Sequence, residues 1–181
     1  MCREVTLGEI CTRIGDGLHG TPQYDPDGEY YFFNGSNIVN GRLLVDSNTK
    51  RVNHSEYLKY KKDLSERTIL LSINGTIGNT AIYNGEKCIL GKSAAYLNIG
   101  NDANPKFVYY LLNCRAFQLY LTNANGSTIK NVSLEMLREY SFELPDLIIQ
   151  DKIVTILESI DSKINVNLEL NAKLGGTVVV F

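Results

Sequence analysis

The sequence has no tryptophan and only two methionines, four prolines and four cysteines among its 181 residues. The cysteines are scattered, and no two of them form a Cys-x-x-Cys pair. Structural zinc sites and the disulfide frameworks of secreted domains both need closely spaced or regularly paired cysteines. We therefore expect a reduced, cytoplasmic protein that holds no metal. The four positions are Cys2, Cys11, Cys88 and Cys114.

Three other absences bear on the partners of this chain. No stretch approaches the roughly 20 consecutive apolar residues of a membrane-spanning helix. The opening "MCREVTLGE" lacks the apolar core of a signal peptide, so we expect no membrane partner. An excess of basic residues is also missing, since 18 Lys and Arg stand against 20 Asp and Glu, for a net charge of −2. On charge alone, nucleic acid is not the obvious partner.

Short apolar runs separated by turn residues predict several strands. The segment "TILLSINGTIGNTAIYNG" has the pattern of a strand, a turn rich in Gly and Asn, and a second strand. The segment "CILGKSAAYLNIG" continues in the same way. Further strands are predicted within residues 5–14, 30–33 and 43–45 and in "YSFEL".

Helix-start signals predict three shorter helices within the same region. Ser55 is the expected N-cap of "HSEYLKYKK", and Ser133 is the expected N-cap of a helix over residues 134–139. Asn104 and Pro105 begin a helix in "NPKFVYYLLNCRAFQLYLTN". The elements together predict an α+β (mixed α/β) domain over residues 1–145. The apolar face of the helix after Pro105 consists of Phe107, Tyr110, Leu111, Cys114, Phe117 and Leu121.

The segment "ELPDLIIQDKIVTILESIDSKINVNLELNAKL" predicts one long C-terminal helix over residues 146–174. Its apolar stripe repeats every eleven residues, which is typical of a nearly straight helix. At 1.5 Å per residue the helix is about 42 Å long, so it could overhang a domain of this size. The stripe consists of Ile153, Ile156, Leu157, Ile160, Ile164, Leu168 and Leu174.

Two interpretations of this helix are open. It could fold back onto its own domain, or its stripe could bind another helix. Its length and its narrow stripe favour a partner helix, because an unpaired stripe would expose several hundred Å² of apolar surface. We therefore expect a homodimer in which two copies pair as an antiparallel two-helix coiled coil. Residues 175–181 form a tail with no assigned role.

Three segments match one known family in order and spacing: "GDGLHGTPQYDPDGEYYFFNGSNIVNGRL", "TILLSINGTIGNTAIY" and "GSTIKNVSLEMLREYSFELPDLIIQDKIVTILESIDSKI". They resemble the "DGxHxTPxYxxxGxxF…NI…G" opening, the "DILxSxxGxxG" hairpin and the "GST/GAT" loop with its "xxLPxxxEQxxI" stretch in specificity subunits of type I restriction–modification enzymes. The match covers most of residues 5–174. The family's "EQ" is Ile149 and Gln150 here, and its "GD" before the hairpin is Arg67 and Thr68.

The resemblance implies a non-catalytic subunit with a target recognition domain followed by a conserved helix. A full specificity subunit has two such domains, and its two helices pair antiparallel as a ruler between two DNA half-sites. It binds DNA methyltransferase (modification) subunits that use S-adenosylmethionine, and a restriction subunit that uses ATP and Mg²⁺. The chain itself would bind no cofactor. With one recognition domain and one helix, it has the plan of a half-length form.

Loops of the recognition domain would supply the groups that read double-stranded DNA. Readout needs donors and acceptors that reach base edges, and basic side chains fix the register on phosphates. Because the chain is acidic, we expect partner subunits to supply much of the positive surface. The candidate DNA-binding residues are His19, Thr21, Gln23, Asn34, Ser36, Asn37, Lys50, Arg51, Lys62, Asn74, Thr76, Asn79, Lys92, Ser127, Thr128 and Lys130, with Lys59, Lys61 and Asn131 beside them.

Two patterns resemble those of enzymes. "NPKF" is similar to the "NPPF" of adenine methyltransferases, but it lacks the second proline, and the start of a helix explains it better. Pro145 and Asp146 with Asp161 and Lys163 satisfy the loose nuclease pattern PD…(D/E)xK, but the last two lie in a strongly periodic helix. We therefore expect no catalytic residue.

The sequence thus predicts a non-catalytic DNA sequence-recognition subunit of a type I restriction–modification system. Two alternatives stay open. One is a truncated remnant that pairs through its helix and no longer reads DNA. The other is the isolated recognition domain of a fused restriction–methylation enzyme.

Overall fold

Strands and helices follow one another along the chain without a regular repeat. The structure is a computed structural model that describes residues 2–123 and 131–175. The mixed α/β domain and the long C-terminal helix predicted from the sequence are both confirmed. The elements are β1 (Arg3–Thr6), α1 (Leu7–Ile10), β2 (Cys11–Asp16), β3 (Tyr30–Phe33), β4 (Ile38–Val39), β5 (Arg42–Leu43), β6 (Lys50–Val52), α2 (His54–Tyr60), β7 (Thr68–Ser72), β8 (Thr80–Ile82), β9 (Cys88–Leu90), β10 (Ala94–Ile99), α3 (Pro105–Asn113), α4 (Arg115–Asn123), α5 (Leu134–Glu139), β11 (Ser141–Leu144) and α6 (Leu147–Gly175).

An antiparallel sheet in the order β2-β10-β7-β8 has a separate apolar core on each of its two faces. Successive side chains of a strand point to opposite faces of its sheet. Ile69 and Leu71 therefore join the larger core, together with buried residues of α3, α4 and α5. Leu70, which lies between them, joins a second core with Phe33 and Leu90. The latter two belong to a smaller sheet in the order β6-β3-β9, in which β3 and β9 run parallel.

The predicted single strand over residues 5–14 is wrong, because a short helix interrupts it. The hydroxyl of Thr6 accepts a hydrogen bond from the backbone N–H of Glu9 at 3.3 Å, and the Glu9 carboxylate accepts one from the N–H of Thr6 at 2.6 Å. This reciprocal capping box begins a helical turn at Leu7. The strands β1 and β2 on either side consequently belong to different sheets.

Three other predicted boundaries shift. Asn53, rather than Ser55, caps α2 by accepting from the N–H of Glu56 at 3.1 Å. The helix after Pro105 divides in two, because Cys114 has an extended backbone between α3 and α4. The strand predicted at residues 43–45 ends at Leu43, and the next two residues are exposed.

Several local predictions are confirmed. Asn104 caps α3 with Pro105 in its first turn, and Ser133 caps α5. The predicted hairpin forms from β7 and β8, and Tyr30–Phe33 is a strand. These are elements whose signals lie within a few residues of one another.

The long helix α6 packs on the domain only near its start. Gln150 is fully buried and Val154 nearly so, whereas every residue from Ser159 to Lys173 is exposed. Within residues 2–123 and 131–175, no helix combines the length and apolar character needed to cross a membrane.

Candidate nucleic-acid interface

Three connecting segments meet at one end of the central sheet: the turn 73–79 of the β7–β8 hairpin, the loop 91–93 and the 3-10 turn Gly35–Asn37. We call this region the hairpin end. Ser93 joins the three, because its carbonyl accepts from the N–H of Ile73 and its hydroxyl accepts from the N–H of Gly35, both at 2.9 Å. Asn131 lies beside the turn, in a bridge with Asn74. The loops that carry many of the predicted DNA-binding residues are therefore brought together by the fold.

The hairpin turn presents its tip to solvent. Gly75 and Gly78 have φ values of +75° and +89°, a region that L side chains rarely adopt. The turn therefore depends on glycine at both positions. Between them Thr76 is exposed, so its hydroxyl and methyl group are available to a ligand.

Three predicted reading residues use their side chains inside the protein. Asn37 accepts from the N–H of Asn34 at 2.9 Å and donates to the carbonyl of Leu44 at 3.1 Å. Asn34 in turn accepts from the hydroxyl of Ser93 at 3.1 Å. Asn79 donates to the carbonyl of Ile38 at 2.9 Å. These asparagines hold the loops in place, and the neighbouring Ser36 is the exposed group.

The loop after β2 contributes unevenly to the hairpin end. Leu18 forms a bridge with Gly91, and the next residue, His19, lies 2.6 Å from the carboxylate of Asp16. Thr21 is exposed. Gln23 lies farther away, beside α2, where its N–H donates to Glu56 at 2.9 Å.

The predicted phosphate-binding residues are also divided. Lys92 and Lys50 are exposed at or next to the hairpin end. The guanidinium of Arg51 lies over the ring of Tyr31, 4.9 Å from its centroid. Lys62 lies at the opposite end of β7: its neighbour Asp63 accepts from Asn98, whose strand partner is the first residue of β7. The fold therefore does not bring Lys62 together with the other lysines.

Three candidates, Ser127, Thr128 and Lys130, lie outside the described residues. Lys59 and Lys61 are on or next to α2, where each ammonium group lies over a tyrosine ring, at 4.7 Å and 5.9 Å from the centroids. They are thus separated from the hairpin turn by the smaller sheet.

Sequence reasoning missed one loop at the hairpin end, residues 46–49. The hydroxyl of Thr49 accepts from the Asn37 side chain at 3.2 Å and donates to Asp46 at 2.8 Å. The Thr49 hydroxyl, followed by the N–H of Asn48, lowers the pKa of Asp46. Together with Lys50 the loop lines a cavity of about 140 Å³. The Asp-Ser-Asn-Thr sequence is a turn signal that could have placed this loop beside the candidates.

The two enzyme-like patterns do not form catalytic arrangements. Asp146 precedes α6 and Asp161 lies inside it, so about 22 Å of helix separates them at 1.5 Å per residue. Asn104 has its side chain engaged, since its Oδ1 caps α3 and its Nδ2 donates to Asp151 at 2.7 Å. Among the described residues, no group of three His, Cys, Asp or Glu side chains could hold a metal ion.

The apolar stripe of the C-terminal helix lies at the edge of the contact between the helix and the domain. Ile153 packs against the larger core and Leu157 is half-buried, so these two residues serve the fold of their own domain. Ile156, Ile160 and Ile164 are 60%, 46% and 50% exposed, and Leu168 is 59% exposed. The stripe predicted from the sequence is therefore divided. Its inner part anchors the helix, and its outer part is open to a partner.

Comparisons with solved structures place this architecture among known ones. The chain aligns with a structure from work on "complex assembly and conformational transition of the type I R-M system", with a TM-score of 0.70, 20% identity and coverage of 97% of this chain and 42% of that one. It aligns with the HsdS subunit from Thermoanaerobacter tengcongensis at a TM-score of 0.64, 21% identity and coverage of 91% and 38%. It aligns with the S subunit of the type I restriction–modification system from M. genitalium at 0.61, 20% identity and coverage of 96% and 43%.

These likenesses show a shared fold, and the chain spans about two fifths of the length of each of these proteins. Membership of a family rests on the sequence itself. Residues 2–175 match the model of the family described as "Type I restriction modification DNA specificity domain". Because the match includes both the recognition domain and α6, the chain belongs to the type I restriction–modification DNA specificity family.

Proposed function

We propose that this chain is the DNA sequence-recognition subunit of a type I restriction–modification system, in a half-length form. The observation that carries the proposal is the hairpin end, where the fold collects Thr76, Ser36, His19 and Lys92 on one exposed surface. Hydroxyl and imidazole groups suit base edges, and a lysine suits a phosphate. The asparagines beneath them hold the loops in a defined shape before DNA arrives.

The proposed partners rest on the match to the type I specificity family. We propose that the chain has no catalytic activity, and that it binds modification subunits that methylate adenine with S-adenosylmethionine. A restriction subunit that uses ATP and Mg²⁺ would join the same complex, in the cytoplasm. The net charge of −2 supports a need for such partners, because counterion release at phosphates supplies much of DNA affinity.

The free part of α6 supports a homodimer. Ile156, Ile160, Ile164 and Leu168 lie within about a third of the helix circumference at 3.6 residues per turn. Two such stripes packed antiparallel would bury each other about a two-fold axis. Two identical recognition domains would then read the same bases on both sides, so we expect an interrupted palindrome as the target.

The test is to map methylated adenines in host DNA with and without this gene. We expect one interrupted palindromic motif to disappear when the gene is removed. A non-palindromic motif would show that a different half-subunit pairs with this one. Unchanged methylation in a host that carries an active modification subunit would contradict the proposal.

A second experiment separates recognition from catalysis. The purified chain, supplied with S-adenosylmethionine, Mg²⁺ and ATP, should neither methylate nor cleave DNA. Addition of the cognate modification subunit should produce methylation at the mapped motif. Cleavage by the pure chain that is lost in Asp161→Ala would instead support a nuclease.

A further inference from the structure

Polar side chains join α3 to α6 at three successive points. Asn104 donates to Asp151 at 2.7 Å, the Lys106 ammonium pairs with the Glu158 carboxylate, and the Tyr110 hydroxyl donates to Asp161 at 2.7 Å. We call these three contacts the clasp. Their residue numbers rise together, so the two helices run side by side in the same direction. The clasp therefore extends outward along α6, away from the buried start of the helix.

We propose that the clasp fixes the angle between the recognition domain and α6, and that Tyr110 and Asp161 are the positioning residues that set the gap between the two DNA half-sites. This inference rests on the proposed function, because a gap exists only where two recognition domains are held by paired helices. The clasp would act on DNA spacing without any contact to DNA.

The burial of α6 explains why apolar packing alone does not fix this angle. Val154 is 5% exposed and is the last buried residue of α6 between Leu147 and Lys173, the part of the helix whose side chains the structure describes. The residues of α6 that pack on the domain lie between Gln150 and Leu157, about 10 Å of a much longer helix, so the helix can swing about this short segment. The contact between Tyr110 and Asp161 lies seven residues beyond Val154, about 10 Å along the helix. Within the described residues it is the outermost hydrogen bond between domain and helix, so it restrains that swing most effectively.

A small displacement at the contact between Tyr110 and Asp161 corresponds to a change of about one base pair in the length of the gap between the half-sites. A shift of about 1 Å at a distance of about 10 Å from Val154 rotates the domain by roughly 5°. The reading loops lie at the far end of β7, whose five residues span roughly 17 Å, so they would move by roughly 2 Å. Two domains together give about 4 Å, which is close to the rise of one base pair, about 3.4 Å.

The chemistry of the outer contact suits a permanent restraint. Burial, followed by the hydrogen bond to Asp161, raises the pKa of Tyr110. The phenol therefore remains a donor at physiological pH, and the carboxylate is an acceptor only. Tyr110→Phe removes this hydrogen bond but keeps the ring, and Glu158→Gln removes the charge of the neighbouring ion pair.

The test uses the complex with its modification subunit and a DNA library in which two fixed half-sites flank a gap of variable length. The complex that contains the wild-type chain should methylate sites of one gap length only. With the variant carrying Tyr110→Phe and Glu158→Gln, the complex should also methylate sites whose gap is one base pair longer or shorter. The methylation rate at these sites should be within about tenfold of the rate at the original gap. Glu169→Gln is the matched control, since Glu169 is an exposed residue farther along α6. It should keep the single gap.

The outcomes distinguish this inference from the proposed function. A variant that keeps the single gap, or that loses methylation at every gap while still folded, would overturn the role of the clasp. If the wild-type complex methylates nothing, the proposed function fails, and hydrogen exchange then tests the clasp alone. Loss of a hydrogen bond to a charged group should make the backbone amides of residues 155–161 exchange about tenfold faster. Unchanged exchange would overturn the inference.

Discussion

The side chain of Gln150, in the first turn of α6, accepts a hydrogen bond from the backbone N–H of Asn104 at 2.8 Å. Its amide nitrogen donates to the carbonyl of Pro145 at 2.7 Å, and the whole residue is buried. One side chain therefore connects the start of α3, the end of β11 and the start of α6. The residue before it, Ile149, replaces the glutamate of the family pattern and is 41% exposed. Asp146 caps the helix instead, by accepting from the N–H of Ile149 at 3.1 Å.

We expect Gln150→Leu to destabilise the protein by about 1–3 kcal/mol, because the half-buried N–H of Asn104 and carbonyl of Pro145 lose their hydrogen bonds to this side chain. Urea unfolding measures the change. Lys152→Leu, at an exposed position two residues on, is the control and should have a small effect. Equal unfolding midpoints for the two variants would contradict the connecting role of Gln150.

The proposed homodimer gives a second prediction. Ile156→Asp combined with Ile160→Asp should yield a monomer, since each charge buried in an apolar interface costs several kcal/mol. Sedimentation at micromolar concentration should give the mass of two chains for the wild type and of one for the variant. Ile148→Asp with Val166→Asp is the matched control, because these exposed residues lie on a different side of α6. A wild-type chain that is monomeric at high concentration would rule out self-pairing.

The hairpin turn gives a third prediction, in which Thr76 and Asn79 behave differently. Thr76→Ala should leave the melting temperature unchanged and relax the half-site by about 1 kcal/mol, the typical net contribution of a single hydrogen bond from a hydroxyl group. Asn79→Ala should lower stability by about 1 kcal/mol, since it removes the hydrogen bond to Ile38. Methylated motifs and thermal unfolding, measured on both variants, test this difference. An unaltered motif for Thr76→Ala would remove that residue from the reading surface.

The start of α6 gives a prediction about pH. The N–H of Ile149 lowers the pKa of Asp146 from its ordinary value of 3.8. A carboxyl group whose pKa is lower in the folded state than in the unfolded state stabilises the fold at pH values above its ordinary pKa. This contribution is lost as the pH falls through the folded-state pKa. Asp146→Asn should therefore reduce stability at pH 7 and have no effect once the acid is protonated. Urea unfolding of both proteins as a function of pH measures the difference, which should shrink as the pH falls below 3.8 and disappear below the folded-state pKa of Asp146. A difference that persists in acid would assign the effect to something other than charge.

Arg67 shows how a departure from the family pattern is accommodated. It stands where the family has a glycine, and its guanidinium donates to the carbonyls of Ile99, Gly100 and Ala103. The connection between β10 and α3 is thereby tied to the start of β7. A motif alone could not reveal this, because the three carbonyls lie more than thirty residues away.

The sequence by itself determined the elements whose signals are local. The period of α6, the caps at Asn104 and Ser133, and the glycine turn of the hairpin each depend on residues a few positions apart. The fold class followed from the order of these elements, and the resemblance to a family followed from three sequence motifs in their order and spacing. Where two local signals competed, as at Thr6 and Asn53, the choice between them depended on hydrogen-bond geometry that the pattern does not encode.

Only the tertiary structure decided what each polar or apolar side chain contacts. Asn37 and Asn79 are of a residue type that can read bases, but their side chains donate to the backbone carbonyls of Leu44 and Ile38. Ile153 and Ile156 belong to one stripe, yet the first packs on its own domain and the second is exposed. Periodicity specifies that a helix has an apolar side. Which part of that side is covered depends on where the rest of the chain comes to lie, because burial is a property of neighbours in space and not of position along the chain.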